Sequence, residues 1–308
     1  MVNRRFLREK VLQNLYAYEQ QTTADLSVLA KNMRFGIEKL YELYARLQAL
    51  LVEISVYALE RADLERQKNF YNPNFENAHI ALANNLYVNK LRQDENLKFA
   101  VDKYKISWKN DPDILFKIYQ DVFESKQFSD FVHSERTFDD AKTFWHKYVK
   151  RRLSENDDFA DFFKEQNAYW YADFSSVMYW FQSEIKDANE ANTHFCVDFE
   201  DFCNADDLYF AEKLLLETVK YQGESNQFIE KNLKDWSFDR TLMVEILIMR
   251  MGVTEVLHFR SIPFKVSINE SIELVKKFSN EEHKVYINGI FHSIIEEINK
   301  NQKLCKVQ

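Results

Sequence analysis

The sequence predicts an all-α protein, and three observations lead to this prediction. The 308-residue chain holds only four glycines and three prolines, so it lacks the many turn residues that a β-sandwich, a barrel or an α/β fold requires. Aromatic residues make up 15% of the chain despite a mean hydropathy of -0.48, which argues against disorder. Apolar residues recur at helical spacing along most of the chain. The length allows one or two domains and a large core.

Composition also narrows the function classes. A net charge of -8 disfavours a protein that coats nucleic acid over its whole surface, although a local basic site remains open. The three cysteines show no metal-ligand spacing and leave an odd thiol, which fits a reducing cytoplasm. No long apolar run follows the N-terminal arginines, so we expect neither a signal peptide nor a membrane span.

Chemistry-bearing motifs are scarce. The chain has no glycine-rich phosphate loop and no recognisable nucleophile with a histidine partner. His194 and Cys196 lie two residues apart, but no second pair follows at zinc-site spacing. We therefore expect no enzyme, no cofactor and no metal site.

The first predicted helix covers residues 3–19. Leu7, Val11 and Leu15, together with Tyr18, mark its apolar face, and arginines cluster on and before its first turn, at Arg4, Arg5 and Arg8. Two interpretations stay open: a solvated charged end, or a short RNA contact in which guanidinium groups bind phosphates or stack on bases.

The second predicted helix is long, from Asp25 to about Gln67, and carries a heptad-like seam. The seam residues are Met33, Ile37, Leu40, Tyr44, Leu47, Leu51, Ile54 and Ala58. Leu43, Leu50 and Tyr57 widen the apolar face, which favours a helix inside a bundle over a self-associating coiled coil.

The central part continues as helices. A break at residues 72–74 precedes one helical segment over 76–104, and Pro112 with acidic neighbours marks the next helix start. Further helices are predicted over 137–153, 157–167 and 172–188.

A basic run in this central part is either a second RNA surface or a solvated helix end. It consists of His146, Lys147, Lys150, Arg151 and Arg152. Trp170, Tyr179 and Trp180 are expected to fill a core, with a ligand groove as the alternative. The acidic residues between 198 and 207 form a junction.

Two helices are predicted near the carboxyl end, in the stretch VSINESIELVKKFSNEEHKVYINGIF. Ser267 and Glu270 have the spacing of a capping box, which predicts a helix start at Ser267. A polar break at Ser279 and Asn280 ends this helix, and the second follows through Tyr286 and Ile290. Gly289 lies in its interior, where glycine costs about 1 kcal/mol against alanine, so we expect another helix backbone to pass close to it.

The segments INESIELVKKF and YINGIF, in that order, resemble the C-terminal signature of the NusB family of transcription antitermination factors. The resemblance continues upstream through MVEILIMRMGVTEVLHFRSIPFK and DLYFAEKLLLETV, and the first helix, RRFLREKVLQNLY, resembles the family's arginine-rich first helix. Phe6 stands where a further basic residue is common. Typical relatives have only a short stretch between the first helix and the tyrosine-phenylalanine helix, whereas here it runs from about residue 22 to 205.

The resemblance implies an all-α, NusB-like helical bundle with a large helical insertion after the first helix. Residues 1–21 would supply the first helix, residues 22–205 the insertion or an extension of the N-terminal bundle, and residues 206–308 the C-terminal core. It also implies a cytoplasmic factor that binds boxA-like RNA together with the ribosomal protein NusE. That factor would support transcription of ribosomal RNA operons, within an elongation complex with RNA polymerase and other Nus factors.

Family positions assign residues to these roles. Arg4, Arg5, Arg8 and Tyr16 correspond to RNA contacts, and Glu245, Phe278, Glu282 and Tyr286 correspond to the contact surface for NusE and RNA. Phe278 and Tyr286 also suit a core, and the two glutamates also suit exposed helix positions. One rival interpretation is a protein-only scaffold whose insertion binds a partner and whose RNA binding is lost. A second rival is a helical enzyme with a pocket in the aromatic insertion.

Overall fold

The computed structural model describes residues 2–20, 25–233 and 241–300, without the side chains of residues 281, 282 and 299. The described residues are helical and contain no β-strand, which confirms the predicted all-α class. The chain divides into two compact units, residues 1–35 with 203–308 (unit 1) and residues 36–202 (unit 2). No helix in the described part combines the length and apolar composition that crossing a bilayer requires.

Two helices open the chain close to the predicted bounds: α1 (Arg4–Glu19) and α2 (Leu26–Arg66). Asn3 caps α1 by accepting a hydrogen bond from the backbone amide of Phe6 at 2.9 Å. All eight seam residues of α2 are buried within the chain. A bundle helix therefore describes α2 better than a self-associating coiled coil. The boundary between the two units falls within α2.

Unit 2 continues with ten helices and a 3-10 turn at Leu153–Glu155. The helices are α3 (Pro73–Ala83), α4 (Leu86–Gln93), α5 (Glu95–Tyr104), α6 (Pro112–Glu124), α7 (Lys126–Val132), α8 (Phe138–Arg151), α9 (Asp157–Gln166), α10 (Ala168–Tyr171), α11 (Phe174–Asp187) and α12 (Phe199–Phe202). Pro112 takes the first-turn position of α6 as predicted. The predictions for 137–153, 157–167 and 172–188 match α8, α9 and α11 to within two residues at each end.

The single segment predicted over 76–104 is wrong, because α3, α4 and α5 occupy it separately. The side chains of Asn85 and Asp94 each accept a backbone amide three residues on, at 3.1 Å, and so start new helices. Asp94 is fully buried and also accepts from the amide of Phe195 at 2.6 Å. These local caps compete with a continuing helix, which the apolar period alone does not reveal.

The aromatic residues of unit 2 follow the prediction in part. Trp170 and Trp180 are buried, and the indole of Trp170 donates to the carbonyl of Lys39 at 2.7 Å. Tyr179 is 67% exposed, so its predicted place in the core is wrong. It lies on the α11 face opposite Phe181 and Val177, which are buried.

Unit 1 is completed by α13 (Ala205–Lys220), α14 (Gln222–Asn232), α15 (Met243–His258), α16 (Phe264–Phe278) and α17 (Glu281–Lys300). Helix α1 packs against α13 and α15, and α16 packs against α15 and α17. Helix α15 is buried around its whole circumference over residues 245–256. It is therefore the central helix of unit 1.

Two local predictions for unit 1 are wrong. Helix α16 begins at Phe264 after Pro263, so Ser267 lies inside the helix, fully buried, and does not cap it. At Gly289 an added Cβ would meet nothing within 4 Å. The close approach occurs instead at Gly252 of α15, where a Cβ would lie 2.6 Å from the Ser271 hydroxyl and 2.7 Å from the Phe291 ring.

Candidate nucleic-acid interface

The three N-terminal arginines lie in the first two turns of α1, beside its apolar face. Leu7, Val11 and Leu15 are buried, as predicted. The side chains of Arg4 and Arg5 are 47% and 50% exposed, whereas that of Arg8 is 4% exposed. Arg4 and Arg5 are therefore half-exposed and Arg8 is buried, a difference that their positions in the sequence do not reveal.

Arg8 is held in a buried ion pair. Its Nε and Nη2 donate to the two carboxylate oxygens of Glu255 on α15, at 2.8 and 2.6 Å. The Glu255 side chain is 3% exposed. The guanidinium carbon lies 4.8 Å from the ring centre of Phe210 on α13, within range of a cation–π interaction. Arg8 thus joins α1 to both helices on which it packs.

Arg4 and Arg5 make ion pairs at the surface. Arg4 Nε lies 3.0 Å from a carboxylate oxygen of Asp207, and its guanidinium also faces Phe210 at 5.0 Å. Arg5 binds both oxygens of Glu270 on α16 at 2.9 Å. This pairing lowers the pKa of the Glu270 carboxyl and raises the pKa of Arg5. Exposed pairs of this kind contribute only about 0–1 kcal/mol, so another anion can compete for either guanidinium.

A depression of about 470 Å³ is lined by all three arginines, by Asn3, by the segment that leads into α16 and by Glu270, the carboxylate that binds Arg5. Pro263, at this edge, is the N-cap of α16, and its side chain has no polar atom with which to cap the helix. A helix N-terminus carries partial positive charge and unpaired amides, which favour phosphate and other anions. The depression therefore combines two half-exposed guanidinium groups with a helix N-terminus, an arrangement suited to a phosphodiester.

Tyr16 lies further along α1 and is 46% exposed. Eleven residues separate it from Arg5, which places both on nearly the same side of the helix, about 16 Å apart. Between them Glu9 forms an ion pair of 2.6 Å with Lys277, near the end of α16. The exposed ring of Tyr16 is available for stacking at the end of this edge.

The residues that the resemblance assigns to NusE lie where α15 meets the turn between α16 and α17. The Glu245 carboxylate, 4% exposed, is hydrogen-bonded to the Ser279 hydroxyl and to His283 Nδ1. Phe278 and Tyr286 are each partly exposed. The side chain of Glu282 lies outside the described residues. Glu245 thus holds the turn that presents Phe278 and Tyr286.

Three residues that contact the N-terminal arginines, Glu255, Glu270 and Phe210, were not predicted from the sequence to belong to a site. The sequence assigned Glu270 to a capping box with Ser267, and it gave no role in a site to Glu255 or Phe210. In the part of the chain that the structure describes, no group of three or more histidine, cysteine or acidic residues is arranged to hold a metal ion.

Comparisons with known proteins match the C-terminal part of this chain. The NusB family model matches residues 177–296. The transcription antitermination protein NusB of Natranaerobius thermophilus is 42% identical over 90 residues, 28% of this chain and 65% of that protein. The NusB of Salinibacter ruber is 34% identical, over 32% of this chain and 61% of that protein. The NusB of Finegoldia magna is 35% identical, over 31% of this chain and 74% of the relative.

The chain thus spans slightly less than two thirds of the length of the first two relatives. No solved structure matches. Helix α1 lies outside the residues that the family model matches, and it reaches the matched helices through its packing on α13 and α15.

Proposed function

This chain belongs to the NusB family, and on that premise we propose that it is a transcription antitermination factor. It binds boxA-like RNA together with NusE and supports transcription of ribosomal RNA operons. The observation that carries this proposal is the position of Arg4 and Arg5. Both are half-exposed and border a depression that also adjoins the N-terminus of α16, where Pro263 is the N-cap.

The arginines take different roles in this proposal. Arg4 and Arg5 exchange their surface carboxylates for RNA phosphates, and Tyr16 stacks on a base at the other end of the edge. Arg8, predicted to contact RNA, adjoins the depression but is bound to Glu255, so its larger role is to hold α1 in place. Phe278 and Tyr286 contact NusE on the turn that Glu245 stabilises, and Glu282 is assigned to the same surface. Residues 22–205 are an insertion into the NusB-like core formed by residues 1–21 and 206–308.

The RNA contact is tested by replacing Arg4 and Arg5 together with glutamine in the full chain. Binding of labelled boxA-like RNA is measured by fluorescence anisotropy, with and without NusE, over a range of salt concentrations. If each arginine neutralises one phosphate, the slope of log affinity against log salt falls by about 1.4. Unchanged affinity and slope would show that α1 does not bind the RNA.

A matched control is the Lys220→Gln, Lys231→Gln pair, which changes the net charge equally. Lys220 ends α13, whereas Asp207, the partner of Arg4, lies in its first turn. This control should bind RNA like the wild type. If it loses affinity equally, the effect is one of overall charge and the assignment to α1 is refuted.

A second candidate function is the protein-only scaffold, and one observation favours it. Arg4, Arg5 and Arg8 each pair with a carboxylate of unit 1, an arrangement that also serves to hold helices together without RNA. Affinity purification with and without RNase separates the two functions. Partners that remain after RNase, together with no affinity for boxA-like RNA, would favour the scaffold.

A further inference from the structure

Helices α8 and α11 of unit 2 pack side by side in antiparallel directions. Lys142 Nζ donates to the carbonyl of Ala188 at 2.7 Å near one end, and Gln182 donates to the Ser154 hydroxyl at 3.1 Å near the other. The buried faces of both helices are apolar and aromatic. Their remaining sides form one solvent-facing strip.

The strip carries the cations Lys147, Lys150, Arg151 and Lys186, which we call the α8–α11 basic face, and it also carries Asp187 beside Lys186. All four side chains are exposed. From Ala141 to Ser154 the chain contains no aspartate or glutamate. His146 lies among these lysines: burial lowers the pKa of its imidazole most, and the charges of Lys150, Lys186 and Lys147 lower it further, against one opposing charge from Asp187.

The cations of the basic face differ from their neighbours in lacking carboxylate partners. Arg152 binds Asp121, and Lys142 lies 3.1 Å from Asp139. Among the described residues, no carboxylate forms an ion pair with any of the four cations of the basic face.

Helix dipoles explain this face only in part. Lys150 and Arg151 lie in the last turn of α8, and Lys186 lies in the last turn of α11, where cations are favoured. The dipole does not account for Lys147, which lies a turn further into α8. It also does not account for the cations of two helices converging on one strip.

We propose that the α8–α11 basic face binds the phosphate backbone of single-stranded RNA. Single-stranded nucleic acid is bound by cations that follow the backbone and by aromatic rings on which bases stack. Tyr179, with 67% of its surface exposed, precedes Ser183 and Lys186 by four and seven residues on α11, so it continues the same side of the helix. The cations bind phosphates and the ring receives a base.

An anionic membrane fits this face less well. Apart from Tyr179, no large apolar side chain is exposed on α8 or α11, and membrane-surface helices need an apolar face to insert. The choice of RNA over an acidic protein rests on the proposed function, since an RNA-binding protein meets this polyanion in its own complex.

The test uses the full chain with Lys147, Lys150 and Arg151 replaced by glutamine. The probe is a labelled single-stranded RNA of about 30 nucleotides without a boxA-like sequence, and binding is followed by fluorescence anisotropy at several salt concentrations. If each of the three cations neutralises one phosphate, the salt slope should fall by about 2 and affinity at 0.1 M salt should fall about tenfold to 100-fold. The control, with Lys90, Lys98 and Lys103 replaced by glutamine, makes the same charge change at exposed positions of unit 2 and should bind like the wild type.

Outcomes for the two RNA surfaces are distinguishable. In one outcome, the variant with Arg4 and Arg5 replaced by glutamine loses affinity for boxA-like RNA while the α8 triple variant binds the probe normally. The basic face is then not an RNA site, and the proposed function stands. If the α8 triple variant loses the probe while the Arg4, Arg5 variant binds boxA-like RNA normally, the basic face is an RNA site and the α1 contact is refuted. Loss of affinity for phosphatidylserine vesicles or polyglutamate in the triple variant, with RNA binding absent or unchanged, would overturn the choice of RNA.

Discussion

The ion pair between Arg8 and Glu255 should be the most destabilising single contact to break in unit 1. In the Arg8→Met variant, the Glu255 carboxylate stays buried and loses the two hydrogen bonds of 2.8 and 2.6 Å that now compensate its desolvation. Breaking a buried pair from one side costs about 3–5 kcal/mol. We expect the free energy of unfolding to fall by that amount.

Arg5→Met is the matched control, because Arg5 also binds a carboxylate with two hydrogen bonds but is half-exposed. An exposed pair contributes about 0–1 kcal/mol, so this variant should unfold almost like the wild type. Replacing Glu255 by leucine in the Arg8→Met background removes the orphaned charge and should restore much of the lost stability. With the Glu255→Leu single variant measured as well, the double-mutant cycle gives the coupling energy.

The assay is urea unfolding followed by far-ultraviolet circular dichroism, which reports on helices of both units. Tryptophan fluorescence serves as a second probe weighted towards unit 2, which holds four of the five tryptophans: Trp108, Trp145, Trp170 and Trp180. The loss in Arg8→Met should appear in the circular dichroism and leave most of the fluorescence transition in place if the units unfold separately. Equal losses in Arg8→Met and Arg5→Met would refute the reasoning from burial.

Three further predictions concern single side chains. Gly252→Ala should destabilise the protein by about 1–3 kcal/mol, because the added Cβ collides with Ser271 and Phe291. Gly289→Ala should stabilise the protein by up to about 1 kcal/mol, because alanine has the higher helix propensity. Thermal unfolding of the two variants tests both expectations. Burial raises the pKa of Glu184 to about 7, so the native state binds a proton that the unfolded chain releases above pH 4.5. The free energy of unfolding should therefore decline as the pH rises from 4.5 to 7. Relative to the wild type, Glu184→Gln should raise the free energy of unfolding by up to about 3 kcal/mol at pH 8 and leave it unchanged at pH 4. Asp94→Ala should lose about 1–3 kcal/mol, since the amides of Leu97 and Phe195 lose their acceptor.

Each of these has a contrary result. A Gly252→Ala variant at least as stable as Gly289→Ala would mean that Ser271 and Phe291 leave room for a methyl group at position 252. A Glu184→Gln effect that does not change with pH would show that the carboxyl does not titrate on unfolding. An Asp94→Ala variant of wild-type stability would remove the capping role of Asp94.

Much of the helical architecture was predictable because it depends on the spacing of apolar residues and on helix-start residues close together in the sequence. The buried seam of α2, the buried face of α1 and the proline start of α6 follow from apolar periodicity and the shape of proline. Where the pattern failed, a different local interaction prevailed. Asn85 and Asp94 interrupted the segment 76–104, and Pro263 began α16 one turn before the apparent capping box.

The all-α class, most helix bounds, the NusB resemblance and the clustering of arginines at the start of α1 follow from the amino-acid sequence alone. Which of those arginines are available to a ligand depends on how the helices pack. Arg8 and Glu255 are 247 positions apart, and no local pattern joins them. The same holds for Gly252, whose small size matters only because α16 and α17 approach it. Helix formation depends on neighbours along the chain, whereas burial and charge pairing depend on residues that folding brings together from distant positions.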